Sequence, residues 1–295
     1  MKKKNYLVVT GGAGFVGSNL ILSLIKNTNL NVISIDNYSS GFKKNHIINK
    51  KVKYLNGNTK DIKVILKNYK SKIDTIFHFG EFSRIYQSFE KFSDCIKSNS
   101  ISTNEVFKFC LENQIRLIYS ATSATLGNGG KDKNLSPYAF TKSKNLELLE
   151  NLKKWFNFKY DVIFFYNVYG PKQISEGYMA TVIGIFEKHY RQNKPLPIVK
   201  PGTQSRRFTH INDTIDICLL AWKNNKSRSY SIVNRKSYTI KQVAKLFRSK
   251  TIYLPKRKGE RYASALTNMS SSNKIYKFWG KTNLKNYIEN FIKSV

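Results

Sequence analysis

A tyrosine and a lysine four residues apart are the side chains of this sequence best suited to moving a proton. Tyr138 and Lys142 follow Pro137, a residue typical of the first turn of a helix, so their spacing places both side chains on one helix face. A phenol with a pKa of about 10 is a poor base at neutral pH, but positive charges nearby favour the phenolate. The pair therefore predicts a general base and its cation. Tyr190 and Lys194 share the spacing, and we interpret them as the end of an amphipathic helix.

Hydroxyl side chains cluster where the strand before this helix is expected to end. Residues 116–120 predict a strand, and Ser120, Thr122 and Ser123 lie at or just beyond its end. A hydroxyl at that position can share or relay the proton of Tyr138. The strand end and the helix together therefore predict an acid–base site.

A glycine-rich turn near the N-terminus predicts a dinucleotide site. Residues 6–9 are a short apolar run typical of a buried strand, and Gly11, Gly14 and Gly17 follow at three-residue intervals as a helical pattern begins. Such a turn lets the backbone approach a pyrophosphate, which the helix N-terminus attracts. Asp36 ends the second predicted strand, where an acidic residue would hold a ribose 2′-hydroxyl and favour NAD over NADP.

Strand and helix patterns alternate through the first half of the chain. This alternation predicts an α/β fold with a Rossmann-type doubly wound parallel sheet. Strands are predicted over 6–9, 31–35, 52–55, 75–79, 116–120 and 162–166, and helices near 61–69, 93–113, 137–155 and 179–192. After Gly170–Pro171 the pattern loosens into shorter elements, which predicts a second, smaller α/β unit.

The formal net charge of +33 is the most unusual bulk property of this 295-residue chain. Such a charge is typical of proteins that bind nucleic acid or an anionic membrane surface. The lysines are scattered in twos and threes, and lysine, asparagine and isoleucine are abundant together. We therefore favour a general compositional bias over a nucleic-acid face. The positive field would still attract a doubly anionic substrate.

Other bulk features bear on the compartment. No window approaches the ~18 apolar residues of a membrane span. The apolar run after the basic N-terminus stops at Gly11, short of an export signal. Cys95, Cys110 and Cys218 are odd in number, lack metal-ligand spacing and predict buried or free thiols. The sequence therefore predicts a cytoplasmic protein with no membrane partner and no metal site.

Four motifs occur in a fixed order along the chain: TGGAGFVG with Asp36, SATSATLG, SPYAFTK and YNVYGP. Together they resemble the extended short-chain dehydrogenase/reductase family, and the chain is most similar to its nucleotide-sugar epimerases, typified by UDP-glucose 4-epimerase. The resemblance implies an NAD-binding Rossmann domain over 1–167, to which the chain returns near 211–234. It also implies a mainly nucleotide-sugar-binding domain over 168–295.

The resemblance assigns roles to residues of the predicted cleft. Tyr138 would be the base, Lys142 would bind the nicotinamide ribose, and Thr122 would be the catalytic hydroxyl, with Ser123 as the alternative in register. The cofactor-binding residues that it implies are Gly11, Gly14, Phe15, Val16, Gly17, Asp36, Asn37, Asn58, Thr59, Phe79, Gly80, Glu81, Ser83, Asn99, Ser120, Tyr138 and Lys142. Two of these depart from the family pattern: Asn58 replaces an aspartate, and Glu81 replaces a small residue.

The substrate-binding residues follow from the same resemblance. Asn167 matches a residue that contacts the sugar nucleotide, and Arg206 and Arg257 resemble two arginines that grip its diphosphate. Glu260 resembles the acid that holds the nucleotide ribose. Thr122 and Ser123 complete the implied substrate set, whose ligand would be a nucleotide-diphosphate sugar, with a UDP-hexose favoured.

The implied activity is that of an NAD-dependent isomerase. Tyr138 would take the proton of the sugar 4-hydroxyl, and the hydroxyl would be inverted through a transient 4-keto intermediate. The protein would contribute orientation and electrostatics, while the cofactor performs the redox step. The predicted setting is carbohydrate metabolism, including polysaccharide biosynthesis. The helices near 93–113 and 137–155 would pair with their copies in a homodimer.

Several alternatives stay open from the sequence. A 4-dehydrogenase or a heptose epimerase would use the same core, although Glu176 stands where heptose epimerases carry a catalytic lysine. A 4,6-dehydratase is disfavoured because Ser123 and Ala124 follow Thr122 in place of an Asp-Glu pair. From another class, the chain could be an NAD-sensing or nucleic-acid-binding protein on the same fold.

Overall fold

The elements of the chain are seen in a computed structural model that describes residues 4–257 and 275–295. The strands, in chain order, are β1 Tyr6–Thr10, β2 Asn31–Asp36, β3 Val52–Asn56, β4 Ile73–His78, β5 Arg116–Thr122, β6 Tyr160–Phe165, β7 Val168–Tyr169, β8 Leu196–Val199, β9 Ser205–Arg207, β10 Thr209–His210, β11 Ser229–Val233, β12 Ser237–Thr239, β13 Thr251–Leu254 and β14 Ile275–Trp279. The helices are α1 Phe15–Asn27, α2 Ile62–Ile65, α3 Gln87–Glu90, α4 Phe92–Ile96, α5 Thr103–Glu112, α6 Pro137–Phe156, α7 Val182–Arg191, α8 Ile211–Asn224, α9 Ile240–Leu246 and α10 Leu284–Lys293.

One parallel sheet organises the fold. Its eight strands lie in the order β3-β2-β1-β4-β5-β6-β11-β14, and each neighbouring pair is parallel. The order reverses between β1 and β4, which makes a switch point where the loops at the carboxyl ends diverge. The doubly wound parallel sheet predicted from the sequence is therefore confirmed.

Alternation along β1 divides the core into two layers. Val8 packs into a buried cluster that includes Phe107 of α5, whereas its neighbours Leu7 and Val9 pack into a cluster that includes Leu20 of α1. Successive strand residues face opposite sides, so helices cover both faces of the sheet. This double burial explains why the strand is a continuous apolar run.

The predicted helix over 61–69 is wrong for most of its length. Helix α2 ends at Ile65, and the chain then turns until β4 begins at Ile73. Ile62 and Leu66 are fully buried, and Ile65 and Tyr69 pack against the same cluster, so the apolar stripe continues past the end of the helix. The helix gives way to tight turns, in which the Tyr69 N–H donates to the Leu66 carbonyl and the Lys72 N–H to the Tyr69 carbonyl, because the chain must reach the start of β4 at Ile73.

The second half of the chain builds a separate apolar cluster and also extends the large sheet. Three two-stranded sheets, β7 with β10, β9 with β12 and β8 with β13, accompany the cluster formed around Phe186, Phe247 and Phe291. Strand β14 instead joins the large sheet beside β11 over five register pairs. The assignment of 1–167 and 168–295 to two domains stays a prediction, and β14 adds C-terminal residues to the sheet.

The three cysteines are buried free thiols. Burial raises the pKa of Cys95 to about 11 and raises the pKa of Cys110 and Cys218 as well, so these thiols stay protonated at neutral pH. Among the described residues, no helix is both long and apolar enough to cross a lipid bilayer.

A buried ion pair ties the amino ends of the central strands together. The Arg116 guanidinium donates to Asp161 Oδ2 from Nε at 3.0 Å and Nη2 at 2.5 Å, and the Arg228 backbone N–H donates to Oδ1 at 2.9 Å. Arg116 also donates to the carbonyls of Ala221 and Trp222 at the end of α8. The pair therefore links β5, β6 and α8.

We expect Asp161→Ala to lower the free energy of unfolding by about 3–5 kcal/mol, because it leaves the buried Arg116 charge without its partner. Glu147→Ala is the matched control, since it removes an exposed carboxylate that pairs with Lys144 and should change the stability little. Urea unfolding of both variants measures the difference. Equal losses in the two variants would contradict the role given to the buried pair.

Candidate functional site

The turn after β1 brings two strand ends unusually close. Gly11 has φ +70°, and a Cβ added there would lie 2.9 Å from the Gly80 backbone at the end of β4. A Cβ on Gly17 would lie 2.2 Å from the Gly11 carbonyl oxygen. Only glycine fits these positions, so helix α1 begins directly against the turn and Gly14 caps it without a side-chain hydrogen bond. The free N–H groups of the first turn can therefore receive an anion.

A cleft of about 630 Å³ opens beside this turn, within the ~300–1,000 Å³ that is usual for small-molecule sites. It lies at the carboxyl ends of the parallel strands, where the sequence analysis predicts it. Predicted cofactor residues that line it are Gly11, Gly14, Phe15, Val16, Gly17, Asp36, Asn37, Asn58, Thr59, Phe79, Gly80, Glu81, Ser83, Ser120, Tyr138 and Lys142. The structure therefore brings together all but one of the predicted cofactor residues.

Asp36 presents a buried carboxylate at the end of β2. Its Oδ2 accepts from the Ala13 backbone N–H at 2.9 Å, and its Oδ1 accepts from the Tyr38 N–H at 2.8 Å. Burial raises the pKa of Asp36, and the backbone hydrogen bonds oppose this shift. Each oxygen retains a lone pair that can accept from a ribose hydroxyl, while the negative charge would repel a phosphate at the same place.

Asn58 lies farther along the same edge, after β3. Its side-chain oxygen accepts from the Lys60 N–H and from the Ser102 hydroxyl, both at 3.0 Å. The amide is thereby fixed in orientation beside Thr59 at the rim of the cleft. An adenine ring could bond to an amide held in this way, although the negative charge of the aspartate that is usual in the family is missing.

Glu81 and Lys142 form a buried ion pair that the sequence does not reveal. The Lys142 ammonium donates to Glu81 Oε2 and, at 2.5 Å, to the Ser120 carbonyl. The exposed fractions of the Lys142 and Glu81 side chains are 4% and 2%. Burial lowers the pKa of Lys142, and the Glu81 charge opposes this shift. Two of the three ammonium N–H groups are therefore engaged within the protein, which leaves one for a ribose.

A hydrogen-bond network fixes the Glu81 carboxylate. Its Oε1 accepts from the hydroxyls of Thr103 and Tyr119, each at 3.0 Å, and from the Asn145 amide at 3.3 Å. The small residue expected at this position would leave these donors without an anion. The glutamate that replaces a small residue at position 81 is therefore accommodated by polar side chains from α5, β5 and α6.

The predicted acid–base residues share one wall of the cleft. Tyr138 and Thr122 are each 8% exposed and Ser123 is 4% exposed, and all three line the cleft with Lys142. Ser136 caps α6 by accepting from a backbone N–H of its first turn, which fixes the start of the helix that carries Tyr138. The arrangement can move a proton between a phenol, a hydroxyl and a ligand in the cleft.

Some predicted residues lie outside the cleft wall. Asn99 is fully buried and exchanges hydrogen bonds with the Phe82 backbone, accepting at 2.7 Å and donating at 3.0 Å. It therefore positions the loop after β4. Arg206 lies on β9, and Arg257 is exposed with its guanidinium 5.4 Å from the centre of the Tyr86 ring.

The remaining two predicted substrate residues differ in position. Asn167 lines the cleft and its amide donates to the Arg207 carbonyl at 2.9 Å. Glu260 falls outside the described residues.

Two features of the cleft were not predicted from the sequence: the presence of Arg84 there, and the presence of Tyr178 and Met179. Both line the cleft, and Arg84 reaches the Met179 carbonyl across 95 residues of sequence. The position of Arg84 just after β4 was a usable signal, because such loops end at the cleft. Its partner was not predictable, since the contact depends on how the later segment folds back.

Fold and cleft together define a dinucleotide-binding protein built on a doubly wound sheet, and comparisons with known proteins agree. A model of the NAD dependent epimerase/dehydratase family matches residues 7–234. An uncharacterized UDP-glucose epimerase from Bacillus subtilis is 31% identical over 228 residues, which cover 71% of this chain and 70% of that protein. A putative UDP-glucose 4-epimerase from Methanocaldococcus jannaschii is 28% identical over 274 residues, which cover 87% and 88% of the two chains.

The fold also matches a solved structure over almost its whole length. The crystal structure of UDP-glucose 4-epimerase from Thermotoga maritima with UDP-glucose has a TM-score of 0.85 and 24% identity, covering 98% of this chain and 97% of that one. The chain therefore belongs to the NAD dependent epimerase/dehydratase family, and its cofactor is NAD. The glycine turn, the free N–H groups of α1 and the Asp36 carboxylate fit that cofactor.

We expect Asp36→Ala to weaken NAD binding by about tenfold to a hundredfold, since hydrogen bonds to a charged group contribute roughly 1.5–3 kcal/mol. The loss of negative charge should at the same time reduce the discrimination against NADP. Calorimetric titration with both dinucleotides measures the two effects, and Asp216→Ala, which removes an exposed carboxylate on α8, is the control. An unchanged preference for NAD in Asp36→Ala would count against this role.

Proposed function

We propose that this protein is an NAD-dependent nucleotide-sugar epimerase that inverts the 4-hydroxyl of a UDP-hexose. The observation that carries the proposal is that Tyr138, Thr122 and Lys142 line the same cleft as the glycine turn and Asp36. Such a wall can hold a proton acceptor next to a dinucleotide. The relatives named above as UDP-glucose epimerases support the choice of substrate class.

A bound NAD would supply the redox chemistry, as acceptor and then donor of the hydrogen at the sugar carbon, and the glycine turn and Asp36 would hold it. The protein's share is to move the proton and to hold the sugar. Tyr138, as phenolate, takes the proton from the 4-hydroxyl and later gives it back. Thr122, or Ser123 as the alternative, shares this proton through its hydroxyl. The low exposure of these side chains limits their contact with bulk water.

Substrate binding must hold the nucleotide firmly and leave the hexose free to turn. Asn167 is suited to contact the sugar nucleotide because it lines the cleft. Arg206, Arg257 and Glu260 are proposed to hold the diphosphate and ribose, with Arg206 already anchored on β9 by donating to the Ser205 carbonyl at 2.8 Å. Guanidinium groups suit diphosphate because they bond two oxygens at once.

Two alternatives are weakened by particular positions. The residue after Ser123 is Ala124, which is 1% exposed and offers no acid for the elimination of water, so a 4,6-dehydratase is disfavoured. Glu176, at the place of the heptose-epimerase lysine, is exposed and pairs with Lys188. A 4-dehydrogenase would form an oxidised sugar nucleotide, and an NAD-sensing or nucleic-acid-binding protein would form no product. The assay for epimerisation therefore separates all of them from the proposal.

We expect the purified protein with NAD to interconvert UDP-glucose and UDP-galactose, and Tyr138→Phe to lower kcat by about 100- to 10,000-fold, as loss of a general base does. Chromatography of the nucleotide sugars measures the conversion. Tyr190→Phe is the matched control, because Tyr190 has the same spacing to a lysine but packs in the cluster around Phe247. If neither UDP-glucose nor UDP-galactose is converted, or if Tyr138→Phe keeps full activity, the proposal is contradicted.

A homodimer through the helices near 93–113 and 137–155 stays a prediction. On α6 the large side chains Phe140, Trp155 and Phe156 are 44%, 63% and 58% exposed, and Phe92 and Ile101 are exposed on the neighbouring helical segment. Pairing with a second copy would cover this apolar surface. Light scattering at micromolar concentration should therefore give twice the chain mass, and a monomer mass would contradict the pairing.

A further inference from the structure

Position 81 carries a carboxylate in the part of the cleft where Lys142 lies. Both residues line the cleft, and the charged ends of Glu81 and Lys142 are in contact although each side chain is almost fully buried. A buried ammonium without a counter-ion is strongly unfavourable, so it loses its proton or moves toward water. The state of the Lys142 ammonium therefore depends on the residue at position 81.

The Lys142 ammonium has three neighbours that favour a positive charge. It donates to Glu81 Oε2 and, at 2.5 Å, to the Ser120 carbonyl at the end of β5. It also lies 4.7 Å from the centre of the Tyr119 ring. The carbonyl dipole and the ring face attract a cation but carry no charge that compensates it. Of these three neighbours, the carboxylate is the one that supplies a negative charge.

Glu81 is fixed by a chain of buried hydrogen bonds that begins at the glycine turn. The Thr10 hydroxyl oxygen accepts from two backbone N–H groups of the loop after β4, at 3.1 and 3.0 Å. Its own proton is therefore donated to His78 Nδ1 at 2.7 Å, which leaves the imidazole proton on Nε2. That N–H donates to the Thr103 hydroxyl at 3.0 Å, and Thr103 donates to Glu81 Oε1 at 3.0 Å. The carboxylate is thus held in place from the turn that would bind the dinucleotide.

The groups of this network, apart from Lys142, are neutral. Burial lowers the pKa of His78 to about 4, so its imidazole is uncharged at neutral pH. Burial and the Glu81 charge raise the pKa of Tyr119, whose hydroxyl therefore keeps the proton that it donates to Oε1. Neutral donors stabilise the carboxylate without cancelling its charge. The negative charge of Glu81 therefore remains available to Lys142.

We infer that Glu81 is a positioning residue for the cofactor, which holds the Lys142 ammonium charged and in place with one N–H left for the ribose beside the nicotinamide. This role deepens the proposed function and rests on it for the place of Lys142 at that ribose. Glu81 acts through Lys142 and is not assigned a contact with the reacting atoms. The chain thus has a counter-ion at a position where the family pattern has a small residue.

Calorimetric titration with NAD and with ADP tests this role without turnover. ADP shares with NAD the half that the glycine turn and Asp36 would hold, but it lacks the ribose beside the nicotinamide. We expect Glu81→Gln to weaken NAD binding by about tenfold or more and to leave ADP binding within about twofold of the wild type. Glu147→Gln is the matched control, because it removes an exposed carboxylate that pairs with Lys144 on the same helix as Lys142. It should change neither affinity.

A variant of Lys142 shows whether Glu81 acts through the ammonium. In Lys142→Met the ammonium is already absent, so adding Glu81→Gln should change the ratio of NAD affinity to ADP affinity by less than about twofold. A glutamate that supported the cleft in some other way would lower this ratio in both backgrounds.

The pH dependence of the same ratio gives a second readout. Burial lowers the pKa of Lys142 and the Glu81 charge opposes this shift, so removing that charge lowers the pKa further. Ribose binding by the ammonium is lost as the pH rises through that pKa. Between about pH 5 and 9 the ratio should therefore stay constant in the wild type and fall with rising pH in Glu81→Gln. Titration of Asp36 affects both ligands and cancels in the ratio.

The other titratable groups around Lys142 are the same in wild type and Glu81→Gln. His78 on β4 is neutral, and Cys95 on α4 and Tyr119 on β5 have raised pKa values and keep their protons. Tyr138 lies one turn away on α6 and is present in every variant. The charged side chains of the short segments that pack on α6 are exposed or half-exposed, namely Glu90, Asp94, Lys97, Lys131, Asp132 and Lys133.

Several results would overturn the role given to Glu81. These are an NAD affinity in Glu81→Gln equal to that of the wild type, an equal loss for NAD and ADP, a further fall of the ratio in the Lys142→Met background, and the same pH dependence in both proteins. Circular dichroism identifies a variant that fails to fold. The wild-type titration then decides, because a ratio that falls between about pH 5 and 9 would show that Lys142 does not stay charged. A protein that gives the expected affinities but converts no UDP-hexose would confirm this role and refute the proposed function.

Discussion

The contact between the glycine turn after β1 and the end of β4 is the constraint on which the rest of the site depends. A Cβ at Gly11 would overlap the Gly80 backbone, and a Cβ at Gly17 would overlap the Gly11 carbonyl. Because both side chains are absent, α1 can start against the sheet and the cleft can open at the switch point between β1 and β4. The positions of Asp36 and of the loop after β4 follow from that arrangement.

The buried charge at Glu81, next to this contact, shows how one substitution depends on its neighbours. A glutamate in place of a small residue would be an uncompensated buried charge, which is strongly unfavourable. Here Glu81 is satisfied by Lys142 and by donors from Thr103, Tyr119 and Asn145. The same pairing, together with the Ser120 carbonyl, engages two of the three N–H groups of the Lys142 ammonium. A local departure from the family pattern thus comes with a buried ion pair in the lining of the cleft.

Short-range patterns allowed much of the fold and cleft to be predicted. The glycine spacing, the acidic end of β2 and the Tyr138–Lys142 spacing each depend on a few adjacent residues, and the structure places all of them along one cleft. Features set by distant contacts were not predictable. Strand β14 is short and gains its place by pairing with β11. Helix α2 ends where the chain turns toward β4, and Arg84 is held by a carbonyl 95 residues away.

The central claim is that a phenol on α6 exchanges a proton with a sugar held beside the dinucleotide. A crystal structure of the protein with NAD and UDP-glucose tests it most directly. The account predicts the Tyr138 hydroxyl at about 2.6–3.2 Å from the sugar 4-oxygen, with the dinucleotide along the glycine turn and Asp36. A sugar 4-oxygen out of reach of Tyr138, or a dinucleotide bound away from that turn, would contradict it.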